Sequence, residues 1–454
     1  MKIAKKYKII ILILITISFS FWFVLNSLIG KQKLTIITDL LSYDQKYLIK
    51  KYIFPYKVIK QHENTIGELE GNVLKQIDVI KTFSNKLEVI FKQSLQNIEI
   101  EKIPEKELSN SLVLKNNRLV EGFYAGIANT YAGSGYLDFH SNNLIVLSSR
   151  GVLGYTDNLD QITQIKQIKH NIDKFIGFNQ FIKKGSLKDL YINNDKIFVS
   201  FTDEIKEDCW NTSLLVGNFN YQNIEFKKLF STKECVYSLE KKEKNLDGEF
   251  SMVTSGGRIV NFDENHILLT VGDYRARHLS QNKESVNGKI LKININDANY
   301  NIISMGHRNP QGLYYDKDNG YVLETEHGPY GGDEINLIEV EDINKGNLLN
   351  FGWAIASYGE HYGGKNSPGN VEKYKKYPLN KSHSDHGFIE PLHAFVPSIG
   401  ISEITKIGDD KYVVSSMKDK SLYFFNLNKD KTIPAFERVE VFERVRDMNF
   451  KKGK

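Results

Sequence analysis

The spacing of apolar and polar positions changes near Val113. After this residue, one arrangement recurs: an apolar run, a turn rich in Asn, Asp or Gly, and a second apolar run. It is found in residues 137–148, 187–201, 256–273, 309–325 and 401–416. Each such pair predicts a β-hairpin, and several are followed by a further apolar run. Repeated antiparallel units of about four strands favour an all-β propeller in which each unit is one blade. A β-sandwich is the alternative, but it does not require so many similar hairpins.

Before Val113 the apolar period is longer. Ile66, Val73, Ile80 and Leu87 are seven residues apart, and Leu69, Phe83 and Ile90 follow three positions after members of that series. This heptad-like stripe predicts a helix over residues 64–97. One interpretation is a stalk that self-associates through this helix. The other is an amphipathic helix packed against its own domain.

The first thirty residues predict a membrane anchor. Lysines 2, 5, 6 and 8 precede an uncharged apolar run from Ile9 to Ile29, which is long enough for a helix that crosses the roughly 30 Å hydrocarbon core. The positive charge before the run predicts a cytoplasmic N-terminus and a periplasmic or extracellular main domain. A cleaved secretory signal is the alternative, although residues 26–30 contain no clean cleavage site. The predicted regions are therefore an anchor (1–30), a helical membrane-proximal region (31–112) and a propeller (113–454).

Composition narrows the possible partners. The 454 residues are 41% hydrophobic and 25% charged, which is typical of a globular protein. The net charge of +5 combines 60 basic and 55 acidic residues, and no basic block with interleaved aromatics follows the first residues, so nucleic acid is excluded as an expected partner. Cys209 and Cys235 would lie in an oxidising space, either as a disulfide or as two separate buried thiols.

Several longer motifs carry a family resemblance. They are GHRNPQGL (306–313), TEHGPYGGDEINLI (325–338), NFGW (350–353), SYGEHYGG (357–364), PLHAFVPSI (391–399) and RVRD (444–447). Together they resemble the soluble aldose dehydrogenases that depend on pyrroloquinoline quinone (PQQ), the glucose/sorbosone dehydrogenase family. The resemblance implies a six-bladed β-propeller with PQQ and calcium at one face. It also implies a sugar substrate, oxidised from an aldose to its lactone.

The same resemblance implies roles for individual residues. The positions that match the family's cofactor-binding residues are Arg308, Asn309, Lys418, Arg444 and Arg446. Guanidinium groups suit the carboxylates of such a quinone because they bind carboxylates bidentately. Gly328 and Pro329 match carbonyl ligands of the cofactor-side calcium, and Glu334 resembles a ligand of a further calcium. Asp273 and Arg308 match catalytic-site positions.

The sequence also departs from the family pattern. The family's general base is a histidine just before a Gly-Gly-Arg or Ser-Gly-Arg turn, where this chain has Thr254 or Val253. Neither side chain is a base at neutral pH, so the replacement candidates are Asp273, His307, His327 and His361. The family's glutamine-bearing loop is not evident near Ser149 to Gly154. The last blade would be closed by residues 113–124 or left incomplete. A catalytically inactive propeller that binds a carbohydrate or a protein is therefore the alternative function.

Overall fold

The structure is a computed structural model. It describes residues 13–24, isolated positions between 42 and 52, and residues 55–91, 97–109, 112–119, 135–149, 151–156, 162–177 and 186–451, without the side chains of 81–91. By its contacts the chain divides into two compact units, Met1–Phe83 and Ser84–Lys454.

The predicted membrane anchor is corrected by the structure. Residues 13–24 are helical, but among the described residues no helix is long and apolar enough to cross a membrane. A span needs about 20 consecutive residues. The prediction of a span from Ile9 to Ile29, and the single-pass location that rested on it, are therefore wrong; residues 9–12 and 25–29 lie outside the described part.

A long helix occupies Pro55–Phe91. The predicted helix over residues 64–97 is thus confirmed as far as Phe91, and residues 92–96 lie outside the described part. The heptad positions Ile66, Leu69, Val73 and Ile80 are exposed on its surface. Self-association through this helix stays a prediction.

Most strands belong to five sheets that follow each other along the chain. The first strands are β1 (Ile98–Lys102), β2 (Lys106–Glu107), β3 (Val113–Leu114) and β4 (Asn117–Leu119). Blade 1 contains β5 (Gly135–His140), β6 (Asn143–Ser148), β7 (Leu153–Thr156) and β8 (Gln164–Gln167), and β1 and β4 extend its outer edge, while β2 pairs with β3. A short parallel pair joins β9 (Lys169–His170) to β13 (Asn223–Ile224).

Each of the other four blades is built on four antiparallel strands, and blade 3 has a fifth, parallel strand at its edge. Blade 2 contains β10 (Leu187–Asn193), β11 (Lys196–Lys206), β12 (Cys209–Asn218) and β14 (Lys227–Phe230), with β15 (Val236–Tyr237) beside β12. Blade 3 contains β16 (Gly256–Asn261), β17 (His266–Val271), β18 (Lys289–Asn294), β19 (Tyr300–Met305) and β23 (Leu349–Asn350). Blade 4 contains β20 (Pro310–Asp316), β21 (Tyr321–Glu326), β22 (Asp333–Glu339) and β24 (His393–Phe395), and blade 5 contains β25 (Ile401–Lys406), β26 (Lys411–Ser416), β27 (Ser421–Asn426) and β28 (Phe436–Glu440).

Short helices lie in the connections. The α-helices are Arg277–Ser280, Val340–Lys345 and Val371–Lys376, and the 3-10 helices are Ile172–Lys174, Leu239–Lys244, Pro368–Asn370 and Ser384–His386.

The prediction of six blades is wrong: the described residues form a propeller-like arrangement of five. Residues 117–119, which were expected to help close a last blade, instead pair with β1 at the outer edge of blade 1. Between the first strands of blades 5 and 1 lies an irregular C-terminal segment, residues 441–451. In this segment the Arg446 carbonyl accepts a hydrogen bond from Ser402 of β25, and Asp447 accepts one from the backbone N–H of Leu137 in β5.

Apolar residues on both faces of blades 3 and 4 pack against the neighbouring blades. In β17, Ile267 and Leu269 pack with residues of blade 2, while Leu268 packs with residues of blade 4. In β21, Val322 packs toward blade 3 and Leu323 toward blade 5. Successive side chains of a strand point to opposite faces, so the period-2 pattern of the hairpins builds the interfaces between blades.

Cys209 and Cys235 form a disulfide. The bond joins the beginning of β12 to the residue before β15, and β15 pairs with that same end of β12. The sequence left a disulfide and two separate thiols open, and the structure selects the disulfide.

A buried ion cluster connects the blades near the first strands. The Arg258 guanidinium of blade 3 lies 2.7 Å from carboxylate oxygens of Asp189 in blade 2, Glu403 in blade 5 and Asp447 in the C-terminal segment. All four side chains are nearly inaccessible to solvent. Burial raises the pKa of Asp189 to about 7 and the pKa of Glu403 well above its ordinary value, while Arg258 opposes both shifts.

We expect Arg258→Met to lower the free energy of unfolding by about 3–5 kcal/mol, because it leaves three buried acids without their cation. Chemical denaturation measures the change. The matched control is Arg438→Met, which removes the more exposed ion pair with Asp419 and should cost less than about 1 kcal/mol. Equal losses in the two variants would show that Arg258 does not hold the blades together.

Asp138 makes the stability of the fold depend on pH. Burial raises its pKa to about 7, although the backbone N–H groups of Ile192 and Phe139 donate to it. The folded protein therefore binds this proton more tightly than the unfolded chain, whose carboxyl titrates near pH 4. The contribution of Asp138 to the free energy of unfolding is greatest below about pH 4 and falls as the pH rises toward 7. The total fall is at most about 1.4 kcal/mol for each unit by which the two pKa values differ.

We expect Asp138→Asn to flatten this part of the stability profile, measured by denaturation at several pH values. An unchanged slope would contradict the assignment.

Candidate active site

Asp273, Arg308, Asn309 and His327 lie on turns of blades 3 and 4. The backbone N–H of Asp273, just after β17, donates to the Arg308 carbonyl at 2.8 Å, and the His327 N–H donates to the Asn309 carbonyl at 3.1 Å. The side-chain oxygen of Asn309 accepts from the Gly256 N–H at 3.2 Å. Three turns that are distant in sequence are thereby held together, as the loops at one face of a rigid β scaffold can be.

Arg308 is buried and spans two of these turns. Its Nη1 donates to the carbonyl oxygens of His327 and Gly328, at 2.8 and 2.6 Å. Its guanidinium carbon lies 5.5 Å from the centre of the Trp353 ring. Glu326 holds the backbone, since its Oε2 accepts from the Arg308 N–H at 2.5 Å and from the Asn309 N–H at 3.4 Å. Hydrogen bonds therefore hold both the backbone and the guanidinium group of Arg308.

Asp273 is a buried carboxyl group beside this arginine. Trp353 Nε1 donates to it at 2.8 Å, and the Arg275 N–H donates at 2.8 Å. Burial raises the pKa of Asp273, while Arg308 and these donors oppose the shift. Because Trp353 contacts both Asp273 and Arg308, it is a positioning residue for the two of them.

Thr254 stands next to Asp273 and has no basic group. Its carbonyl accepts a hydrogen bond from the Tyr274 N–H at 2.9 Å, and its hydroxyl donates to the Ser251 carbonyl at 3.0 Å. The backbone bond to Tyr274 thus holds Thr254 beside the residue that follows Asp273.

The three histidines named as substitutes for the missing base have different surroundings. His307 is completely buried among carboxylates. His361 is also buried, and its Nε2 contacts the Tyr377 carbonyl at 2.8 Å. The side chain of His327 is 21% exposed. Burial lowers the pKa of His327 to about 4; nearby Asp333 opposes this, and Arg446, Arg308 and Arg444 add to it.

Arginines 446 and 444 approach this histidine from the C-terminal segment. Arg446 Nη1 donates to Gln311 Oε1 at 2.6 Å, whereas its buried Nε has no hydrogen-bond acceptor among the described residues. Burial lowers the pKa of Arg446, and the like charges of Arg258 and Arg444 lower it further. Arg444 donates to the Met417 carbonyl at 3.3 Å. Clustered arginines with an unpaired N–H favour an anionic ligand.

The other residues predicted to bind the cofactor or calcium have different neighbours from the three arginines. Lys418 is exposed, and its Nζ donates to the Ser398 carbonyl at 3.2 Å. Gly328 and Pro329 lie on the loop that Arg308 binds, and the Gly328 N–H also donates to Asp333 Oδ1 at 3.2 Å. Glu334 follows Asp333 on β22, so its side chain points to the opposite face. There it lies 3.6 Å from His383 Nε2.

Trp353, Glu326 and Gln311 were not singled out from the sequence as site residues. A signal existed for Glu326: Glu324 and Glu326 alternate within the apolar strand β21, which puts two carboxylates on one buried face. Trp353 had no comparable local signal, because its contacts to Asp273 and Arg308 join residues that are far apart in sequence.

Fold and site together define a propeller-like all-β protein with a cluster of arginines beside the turns of blades 3 and 4. The sequence model of the family described as Glucose / Sorbosone dehydrogenase matches residues 142–453, and the chain belongs to this family. The family predicted from the motifs is confirmed.

Similarity to individual proteins is more limited. The chain is 27% identical over 196 residues to the aldose sugar dehydrogenase YliI of Escherichia coli K12, covering 39% of this chain and 48% of the relative. It is 32% identical over 138 residues to the quinoprotein glucose dehydrogenase B of Acinetobacter calcoaceticus, covering 24% of this chain and 27% of the relative. The chain therefore spans about half the length, or less, of these relatives. A crystal structure of a glucose dehydrogenase superposes with a TM-score of 0.51 at 21% identity, covering 69% of this chain and 88% of the other, and this likeness concerns the fold.

Proposed function

We propose that this protein is a PQQ-dependent aldose dehydrogenase that oxidises a sugar at its anomeric carbon to the lactone. The observation that carries the proposal is a group of arginines at the turn of Asn309: Arg308 is buried there, and Arg446, whose Nε has no acceptor among the described residues, reaches Asn309 through Gln311. Membership of the glucose/sorbosone dehydrogenase family supports it, and so does the similarity to a relative named as a quinoprotein.

The arginines fit the chemistry of the cofactor. PQQ carries three carboxylates, and a guanidinium group pairs with a carboxylate through two parallel hydrogen bonds. Arg308, Arg444 and Arg446 would hold these carboxylates, with Asn309 beside them. The buried Nε of Arg446, which has no acceptor among the described residues, would gain one from the cofactor. Lys418 would contribute least, because it is exposed and donates to the Ser398 carbonyl.

PQQ, when bound, supplies the acceptor for the two electrons that leave the anomeric C–H bond as hydride. The hydroxyl proton of the sugar must pass to a base of the chain. Asp273 suits this role better than His327, because burial raises the pKa of Asp273 but lowers that of His327 to about 4. A buried carboxylate that already accepts from Trp353 and Arg275 is still a weak substitute for a histidine near neutrality, so slow turnover is expected.

One lone pair of the Gly328 carbonyl oxygen is already used in the arrangement described, because this oxygen accepts from Arg308 Nη1 at 2.6 Å. The roles of Gly328, Pro329 and Glu334 in calcium binding stay predictions, and no step of the mechanism depends on them.

The test is reconstitution of the full chain with PQQ and calcium. Cofactor uptake is followed by visible absorbance, and turnover by dye-linked oxidation of a panel of aldoses. Stoichiometric uptake with formation of the lactone supports the proposal. Absence of uptake would overturn the cofactor assignment.

A second candidate function is a non-catalytic propeller that binds a carbohydrate or a protein. The observation that favours it is Thr254, whose hydroxyl donates to Ser251 at the position of the family's base. Under this alternative, the reconstituted protein shows no oxidation of any aldose in the panel.

A further inference from the structure

A second group of buried polar side chains lies beneath the turn that carries Arg308. His307, Glu324 and Glu326 each offer one donor atom, and these atoms lie within 4.8 Å of one another. All three side chains are almost completely buried. His307 comes from the turn after β19, and the two glutamates share one face of β21, so the group joins blades 3 and 4.

The His307 ring is oriented as a ligand would be. Its Nε2 lies 2.8 Å from Ser304 Oγ, and the ring stacks on Phe351 with 5.0 Å between centroids. Its Nδ1 has no hydrogen-bond partner among the described residues. This nitrogen faces Glu326 Oε1 at 3.5 Å and Glu324 Oε2 at 3.8 Å. A hydrogen bond on one ring nitrogen that leaves the other free is the usual orientation of a metal-binding histidine.

The carboxylates have too few donors for their charge. Glu324 Oε1 is buried without a hydrogen-bond partner in the described structure. Asn336 Nδ2 reaches both acids, at 3.0 Å from Glu324 and 3.3 Å from Glu326, while its own Oδ1 has no donor. Glu334 adds a further buried acid on the neighbouring strand. Carboxylates in such a place stay ionised only beside a positive partner, and without one they take up a proton, because burial of an unpaired charge is costly.

We propose that His307, Glu324 and Glu326 bind a divalent transition-metal ion, with zinc as the best match. One imidazole nitrogen and carboxylate oxygens are ligands that zinc accepts in proteins, whereas calcium takes oxygen ligands. Gly328, Pro329 and Glu334 are not among the three ligands, although Glu334 lies opposite Glu326 on the neighbouring strand.

The role of this ion is structural. Glu326 Oε1 faces the ion, while its Oε2 accepts from the backbone N–H groups of Arg308 and Asn309. Metal binding therefore fixes the carboxylate that positions the Arg308 turn. The inference does not depend on PQQ binding or on sugar oxidation.

Metal content of the purified full chain tests the proposal. After dialysis against a chelator and incubation with Zn²⁺, mass spectrometry of the metals should find one tightly bound zinc per chain, and Zn²⁺ should raise the melting temperature. Co²⁺ in place of Zn²⁺ should give the visible absorption of a cobalt site with nitrogen and oxygen ligands. Absence of a bound ion in the wild-type protein by both measurements would overturn the proposal without use of any variant.

Variants then locate the ion. Glu324→Gln keeps the shape of the side chain but removes its charge, and it should weaken Zn²⁺ binding at least about tenfold. The matched control is His361→Gln, because His361 is also buried with an Nδ1 that has no partner among the described residues but lies outside the group. Binding that persists in Glu324→Gln but is lost in His383→Gln would place the ion beside Glu334 instead and contradict the assignment.

Discussion

Replacement of Arg308 with alanine is expected to weaken PQQ binding by two to three orders of magnitude. The guanidinium group is buried, and loss of one partner of a buried, charge-assisted contact costs about 2–5 kcal/mol. The substitution also removes the hydrogen bonds to the His327 and Gly328 carbonyls, so the loop after β21 keeps fewer hydrogen bonds to the turn after β19. Titration of PQQ followed by visible absorbance measures the change.

Two further variants make this result specific. Arg308→Lys keeps the positive charge but loses the planar pair of donors, so its affinity should lie between those of the wild type and Arg308→Ala. Arg438→Ala removes a more exposed arginine that pairs with Asp419 in blade 5, and it should bind PQQ like the wild type. Unchanged affinity in a folded Arg308→Ala protein would show that this arginine does not hold the cofactor.

The hairpins could be predicted because their signals are local. The segment 137–148 becomes β5 and β6, and the segment 401–416 becomes β25 and β26, with a turn between each pair. Alternation of apolar residues and a turn of Asn, Asp or Gly are sufficient for this. The number of blades is not determined by local sequence. It depends on which strands meet across the ring, and Asn117–Leu119 joined the outer edge of blade 1 although its sequence did not distinguish that place from a closing strand.

The site shows the same division. Arg308 and Asn309 lie in a motif long enough to be recognised, and the structure brings them close to Asp273 and His327. Predictions for Lys418 and Glu334 rested on position in a motif alone, and these side chains have other neighbours. The alternation of Glu324 and Glu326 in β21 signals two buried carboxylates, but their approach to His307, and the contacts of Trp353, join residues from different blades and have no direct signal in a single sequence.

The two proposed functions differ in whether the chain supplies a general base for sugar oxidation. Thr254 is held by backbone bonds, since its N–H donates to Ser251 and its carbonyl accepts from Tyr274. A different side chain at this position keeps these bonds and loses only the hydroxyl contact to Ser251. An imidazole introduced there would start next to Asp273, whose carboxylate can orient a histidine ring.

We therefore expect Thr254→His to raise kcat for aldose oxidation about 10²- to 10⁴-fold, the range in which general base catalysis contributes. Turnover should also increase as the pH rises through the range in which histidine loses its proton, near 6.5 for an unperturbed group. Dye-linked turnover of the PQQ-reconstituted protein over a series of pH values measures both effects.

The matched control is Val253→His, which puts the same group one residue earlier on a side chain that is 64% exposed. Val253→His should not raise turnover, because the side chain at position 253 is exposed to solvent. The backbone bonds of Thr254 to Ser251 and Tyr274 do not hold the Val253 side chain beside Asp273. The double variant Thr254→His with Asp273→Asn should lose most of the gain if Asp273 orients the new base. A Thr254→His protein that binds PQQ as tightly as the wild type but remains inactive would mean that more than the base is missing, and the propeller would then be better explained as a binding module.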